Sequence, residues 1–199
     1  MTDQDLAHRK QLLRTAARGR RRDLDPAARE AAAGRLARRF VEALPAMCPG
    51  PGPQVVAAYW PHGSEIDTRP LLATLHAMGH LCCLPVVVAR AAPLAFRRWV
   101  PGAALRPGAL DIPVPVDGAQ VTPRVIAAPL LAFDEDGYRL GQGGGFYDRT
   151  IADLRAAGDL VVAGVAFEAQ RVDAVPRDGH DQRLDWLITD AATRILRDS

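Results

Sequence analysis

The densest chemistry in the chain lies in one stretch, Arg139-Leu140-Gly141-Gln142-Gly143-Gly144-Gly145-Phe146-Tyr147-Asp148-Arg149, which places four glycines in five positions. Without Cβ atoms a backbone can approach an anion closely, and successive N–H groups at a helix N-terminus supply the partial positive charge that phosphate favours. The same glycines would also serve a tight turn of flexible chain. The motif is not a Walker A loop, since no Lys-Ser/Thr follows, and its spacing is not GxGxxG. Asp148 falls in the first turn of the helix expected after the loop. There it either complements the helix dipole or acts as a magnesium ligand facing bound phosphate, because magnesium takes one or two carboxylates plus phosphate oxygens. A second signal is compositional: of the 25 basic residues, 24 are arginine and the sole lysine is Lys10. An ammonium on a flexible stem suits a single phosphate oxygen better than the planar fork of arginine does.

These residues need elements to hold them. Leu6, Leu12, Leu13, Ala16 and Ala17 recur at helical spacing, so the chain from about residue 4 to 22 reads as an amphipathic helix with Lys10 and Arg14 four apart on one face. Asp25-Pro26 starts a second helix, with Leu36, Phe40 and Leu44 as its apolar stripe. Pro49-Gly50-Pro51-Gly52-Pro53 is a loop, and Gln54 to Trp60 the first strand. Asp67 or Thr68 caps a third helix that Gly79 ends, and LCCLPVVV then reads as a buried strand. Residues 94–99 form another strand, and the Pro- and Gly-rich stretch 101–118 a long excursion with one short strand at most, of the kind that borders a site. An apolar strand from Val125 leads through an acidic turn to the glycine loop and a helix over about 146–157. Strands over 160–167 and 184–189 and a short terminal helix complete the chain. Strands alternating with helices predict one α/β domain over residues 1–199, its mostly parallel sheet flanked by helices on both faces.

Composition limits the function classes. At 48% hydrophobic and 24% charged the chain can build a core, and no stretch approaches the roughly 18 uninterrupted apolar residues of a membrane span. Charged residues sit where a secretory leader needs an apolar region, so the cytoplasm is the expected compartment. Cys48, Cys82 and Cys83 lack CxxC spacing and are expected to be buried thiols, not a zinc site or a disulfide framework. Residues 1–40 hold 11 basic against 5 acidic side chains. Arg18-Gly19-Arg20-Arg21-Arg22 within them reads as a solvated helix face or as a grip on nucleic acid.

The stretch APLLAFDEDGYRLGQGGGFYDRT resembles the signature of the 5-formyltetrahydrofolate cyclo-ligase family. Three further blocks resemble that family in the same order: Lys10-Gln11-Leu12-Leu13-Arg14, Tyr59-Trp60-Pro61 through Glu65-Ile66-Asp67-Thr68, and Gly164-Val165-Ala166-Phe167 through His180-Asp181. The resemblance implies a Rossmann-like three-layer fold akin to the CoA transferases. It also implies conversion of 5-formyltetrahydrofolate and ATP, with magnesium, into 5,10-methenyltetrahydrofolate, ADP and phosphate. Carried across by position, Lys10 and Arg14 would act on the ATP phosphates, with Gln11, Leu12 and Leu13 between them and Arg139, Leu140, Gly141, Gln142, Gly143, Gly144, Gly145, Phe146 and Tyr147 lining the nucleotide site. Gln142 to Phe146 would also touch the folate, Trp60 and Glu65 would meet its pterin end, and Asp148 and Asp181 would hold magnesium. His180 is expected to have no proton-transfer role. Phe146 stands where many members have tyrosine, and the Arg18–Arg22 cluster is more basic than the family pattern. The implied partners are folate and ATP, with no nucleic acid or membrane, and a monomer is expected. The rival reading is a non-catalytic relative that binds a nucleotide or RNA.

Overall fold

The computed structural model describes residues 2–196. Helix α1 (Asp3–Arg22) opens on a capping box, in which the Thr2 hydroxyl accepts the Asp5 N–H and the Asp5 carboxylate accepts the Thr2 N–H. Helix α2 (Pro26–Met47) starts at Asp25, whose Oδ1 accepts the Ala28 N–H at 2.9 Å. Its stripe of Leu36, Phe40 and Leu44 is buried, as the spacing predicts. There follow β1 (Val55–Ala57), α3 (Arg69–Ala77), β2 (Leu81–Val87), β3 (Leu94–Trp99), β4 (Leu105–Pro107), β5 (Pro113–Pro115), β6 (Val125–Pro129), β7 (Ala132–Phe133) and β8 (Arg139–Leu140). Then come α4 (Phe146–Ala157), β9 (Val161–Ala166), β10 (Trp186–Thr189) and β11 (Thr193–Ile195).

Seven strands form one sheet in the order β11-β10-β9-β6-β1-β2-β3. The five central strands are parallel, with Val56 opposite Val125 and Ala127 opposite Ala163, whereas the edge strands β3 and β11 run antiparallel. Successive side chains alternate between faces. On β9, Val161, Ala163 and Val165 join the core beneath α2 and α3, while Val162 and Ala166 join the core beneath α4. Burial on both faces explains why these strands read as unbroken apolar runs. At Gly164 a Cβ would lie 2.5 Å from Leu184 Cδ1, so only glycine admits that neighbour. The result is the expected three-layer α/β arrangement. Cys48, Cys82 and Cys83 are free and buried, and no helix among the described residues is long and apolar enough to cross a membrane.

The structure departs from the sequence reading in several places. The first strand stops at Ala57, because the chain turns at Tyr59: its hydroxyl donates to Ile66 O at 3.0 Å, and the Thr68 hydroxyl donates to Tyr59 O. The excursion 101–118 holds two short strands, β4 and β5, in a hairpin that pairs Pro107 with Pro113. Prolines are tolerated there because these edges need not donate to a ladder. The apolar run from Val125 is broken after Pro129, and β7 pairs with the unforeseen β8 around the acidic turn. The expected terminal helix is instead β11. Thr189 forces a tight reversal, its Oγ1 accepting the Ala191 and Ala192 N–H groups, and Arg194 on the returning strand pairs with Glu168 at 2.7 Å. Residues 197–199 of that expected helix lie outside the described residues.

The chain orders its strands outward from β1 in two directions, which places a crevice beyond the carboxyl ends of β1 and β6. The 58–68 turn follows β1, and Leu130 and the β7–β8 hairpin follow β6. Helix α1 packs over that end, with Leu13 and Ala17 against Leu131, Ala132 and Leu140.

Candidate active site

The short strand β8 delivers Arg139 and Leu140 straight into the glycine loop, and the loop hands over to α4. Gly145 is the N-cap of α4 at φ 64°, and Gly143 has φ 104°, both backbone states that residues with a Cβ rarely adopt. Helix α1 lies along the loop. Arg14 Nε donates to Gly141 O at 3.0 Å, and a Cβ on Gly143 would stand 3.2 Å from Arg14 Cζ. One α1 face thus presents Lys10, Arg14 and Arg18 at successive turns, and Arg18 places two N–H groups on Gln142 Oε1 at 2.7 and 3.2 Å. Burial, then the charge of Arg18, holds the Arg14 guanidinium below its usual value.

Arg139 is nearly sealed from solvent, its side chain 3% exposed. It donates to Gln182 O at 2.6 Å and to Asp148 Oδ1 at 2.9 Å, and the same Oδ1 accepts the Gln182 N–H at 3.1 Å. Arg139 therefore fixes the Asp148 carboxylate at the start of α4. Lys10 spans the remaining gap. Its Nζ donates to Asp181 Oδ2 at 2.7 Å and to Asp178 Oδ2 at 2.8 Å. Burial pulls the ammonium down, but the two carboxylates together outweigh it and leave the lysine above its ordinary value.

Beyond β1, the turn that carries Glu65 is closed by the His62 N–H donating to Glu65 Oε2 at 3.0 Å. Arg21, itself buried, donates to Ser64 Oγ at 3.0 Å and stands 3.9 Å from Glu65. Burial raises the Glu65 carboxyl above the ordinary glutamate value against the opposing pull of the His62 N–H and Arg21. Trp60 tilts against Trp99 with ring centroids 6.3 Å apart, and Arg149 covers the Phe146 ring at 5.3 Å.

Many of these groups wall one cavity of about 380 Å³. Lys10, Arg14, Trp60, Glu65, the whole run from Arg139 to Asp148, and Asp181 all line it. Gln11, Leu12 and Leu13 do not: Gln11 and Leu12 are exposed, and Leu13 packs inward on the Leu131 cluster, because consecutive helical residues cannot share one face. The wall also includes residues the sequence did not single out. Asp178 borders it beside His180 and Asp181, and Leu110 and Ile112 of the 101–118 excursion overhang it. A Lys10 partner three residues before Asp181 has no signal in sequence other than that spacing. Leu110 adopts φ 59° and is 69% exposed at the hairpin tip. An adjoining groove shares Glu65, Leu110, Ile112 and Gln142 with the cavity and is walled by Arg18, Arg21 and Arg22.

No cluster of three or more metal-ligating side chains occurs among the described residues. Asp148 and Asp181 nevertheless fit a magnesium ion that takes most of its ligands from phosphate and water. Both line the cavity, and each spends a single oxygen on the protein, Oδ1 of Asp148 and Oδ2 of Asp181.

A sequence profile of the 5-formyltetrahydrofolate cyclo-ligase family matches residues 6–190. The chain is 35% identical over 188 residues to the 5-formyltetrahydrofolate cyclo-ligase of Mycolicibacterium smegmatis, covering 90% of this chain and 93% of the relative. It is 34% identical over 178 residues to that of Escherichia coli K12, covering 86% and 95%. Among solved structures it is similar to 5,10-methenyltetrahydrofolate synthetase from Aquifex aeolicus, with a TM-score of 0.75, 31% identity and coverage of 96% and 94%. The synthetase from Mycoplasma pneumoniae shares the fold, with a TM-score of 0.72 at 22% identity and coverage of 91% and 98%.

Proposed function

The chain belongs to the 5-formyltetrahydrofolate cyclo-ligase family, and from that membership we propose that it closes 5-formyltetrahydrofolate to 5,10-methenyltetrahydrofolate at the cavity described above, using ATP and magnesium. The observation that carries the assignment of the site is convergence. Lys10 and Arg14 from α1, Glu65 from the turn after β1, the glycine loop, and Asp181 are remote in sequence yet wall a single cavity at the carboxyl ends of the parallel strands.

Ring closure of a formamide expels its oxygen, which needs a better leaving group than hydroxide. In this reading the formyl oxygen attacks the γ-phosphorus and ADP departs. N10 then adds to the activated carbon, loses its proton, and phosphate leaves with the former formyl oxygen. The protein aligns the two substrates and neutralises phosphate charge, tasks suited to Lys10, Arg14 and the loop N–H groups. Magnesium, held by Asp148 and Asp181, would add further charge neutralisation at the phosphates. Glu65 would accept hydrogen bonds from the pterin's amino and ring N–H groups, and Trp60 would offer an apolar wall.

The turning of Arg18 and Arg21 into the protein, onto Gln142 and Ser64, argues against a basic segment reserved for RNA. Buried free thiols suit a reducing cytoplasm, and we read the enzyme as a cytoplasmic monomer. Purified protein with 5-formyltetrahydrofolate, ATP and magnesium should develop the ultraviolet absorbance of the methenyl product. Folded protein that yields none with active substrate would overturn the assignment.

A further inference from the structure

Lys10 is the only lysine of the chain, and its ammonium faces two carboxylates, not one. Asp181 is the partner that the proposed metal would claim. Asp178 has no such claim on it, and its surroundings are arranged to hold its carboxylate in place. Its Oδ1 accepts the His180 N–H at 2.9 Å, its own N–H donates to Asp181 Oδ2 at 2.8 Å, and its Oδ2 receives Lys10. The Lys10 side chain is 13% exposed at this point, whereas Asp178 is 39% exposed, so the acid sits at the cavity rim and reaches inward to the base.

An ammonium has three N–H donors. Two are taken by Asp178 and Asp181, and the third can point to a phosphate oxygen. A divalent cation arriving on Asp181 would repel the ammonium that shares that carboxylate. With Asp181 as its only partner, the flexible lysine stem would then be free to swing away, at a gain of side-chain entropy. We propose that Asp178 is a positioning residue, the counter-ion that keeps Lys10 aimed at the nucleotide phosphates when Asp181 is engaged elsewhere. The proposal rests on the reading of Lys10 as a phosphate-binding residue.

The lone lysine allows a direct test. Protein grown with 13C-labelled lysine carries a single labelled side chain, so its NMR signal reports Lys10 alone. Asp178→Asn and Asp178→Ser remove the charge but keep an oxygen able to accept the His180 N–H, so the turn is retained. Titration of wild-type protein with ATP and magnesium should shift the signal saturably. In both variants the ligand-free signal should move toward that of a mobile, solvated lysine, and ATP affinity read from the same titration should fall by about three- to ten-fold. An unchanged Lys10 signal, or an unchanged affinity, in the two variants would overturn the role of Asp178 while leaving that of Lys10 intact. A wild-type signal indifferent to ATP would instead remove the phosphate role of Lys10, and the proposal with it.

Discussion

At the scale of single residues, charge and hydrogen-bond polarity decide what each substitution does. Glu65→Gln keeps the size of the side chain but turns an acceptor into a donor that would face the pterin's own donors. Folate binding should weaken by about 1–3 kcal/mol, the cost of a mismatched buried polar group, with the KM for ATP nearly unchanged. The raised pKa of Glu65 gives this a pH signature. On acidification the carboxylate is protonated earlier than an exposed glutamate, so the KM for folate should rise in weak acid in the wild type, and the Gln variant should lack that limb. Lys10→Arg should impair turnover even though it keeps the charge, because a guanidinium fork matches the carboxylates of Asp178 and Asp181 and would stay with them. Wild-type kinetics in that variant would refute the argument. Asp148→Asn and Asp181→Asn should each raise the magnesium concentration needed for half-maximal rate, and Asp148→Asn should also lower the melting temperature because it leaves the sealed Arg139 without its anion. Much of this site was legible in sequence. Lys10 stood out as the one lysine in an arginine-rich chain, and the glycine loop by its density. Asp178 was not legible, since an acid near a turn acquires meaning only when a helix 168 residues away brings it an ammonium.

At the scale of elements, the glycine loop works because β8 and α4 fix its two ends while α1 covers it. Gly143→Ala would force a Cβ into a left-handed backbone at φ 104° and against Arg14 Cζ. A loss of about 1–2 kcal/mol of stability is expected from the backbone alone, together with a raised KM for ATP as Arg14 is pushed aside. Thermal melts and nucleotide kinetics on the same variant separate the two effects, and a variant that matches wild type in both would show that the loop tolerates a Cβ there. Helix starts could be read directly, because Asp25-Pro26 encodes its cap locally. Strand ends could not. Gln54 to Trp60 has the residues of a longer strand, yet a side chain nine residues beyond Tyr59, that of Thr68, holds the Tyr59 carbonyl outside the ladder. The terminal segment read as helix becomes β11 because an edge of the sheet was available to it and Glu168 was placed to pair with Arg194. Such tertiary partners have no local trace.

At the scale of the whole molecule, alternation of strands and helices was enough to foresee a parallel sheet covered on both faces, though not the antiparallel strands at its edges. The body is fastened by apolar layers on both sides of that sheet. Helix α1 is fastened differently. Of its twenty residues only Ala17 and Arg21 are buried, and much of its hold comes from Lys10, Arg14, Arg18 and Arg21 reaching across to the site. The ion pairs among these ties, Lys10 with Asp178 and Asp181 and Arg21 with Glu65, weaken with salt, whereas apolar packing does not. Local opening should therefore be concentrated in α1, whose amides are expected to exchange with deuterium faster than those of β6 and β9, and faster still at high ionic strength. Binding of ATP with magnesium should slow that exchange in α1 more than anywhere in the sheet, and equal protection of α1 and β9 in the ligand-free protein would contradict it. On the proposed function, the helix that supplies the cations would then also be the part of the fold most dependent on what it binds, and the nucleotide would complete the architecture as well as entering the reaction.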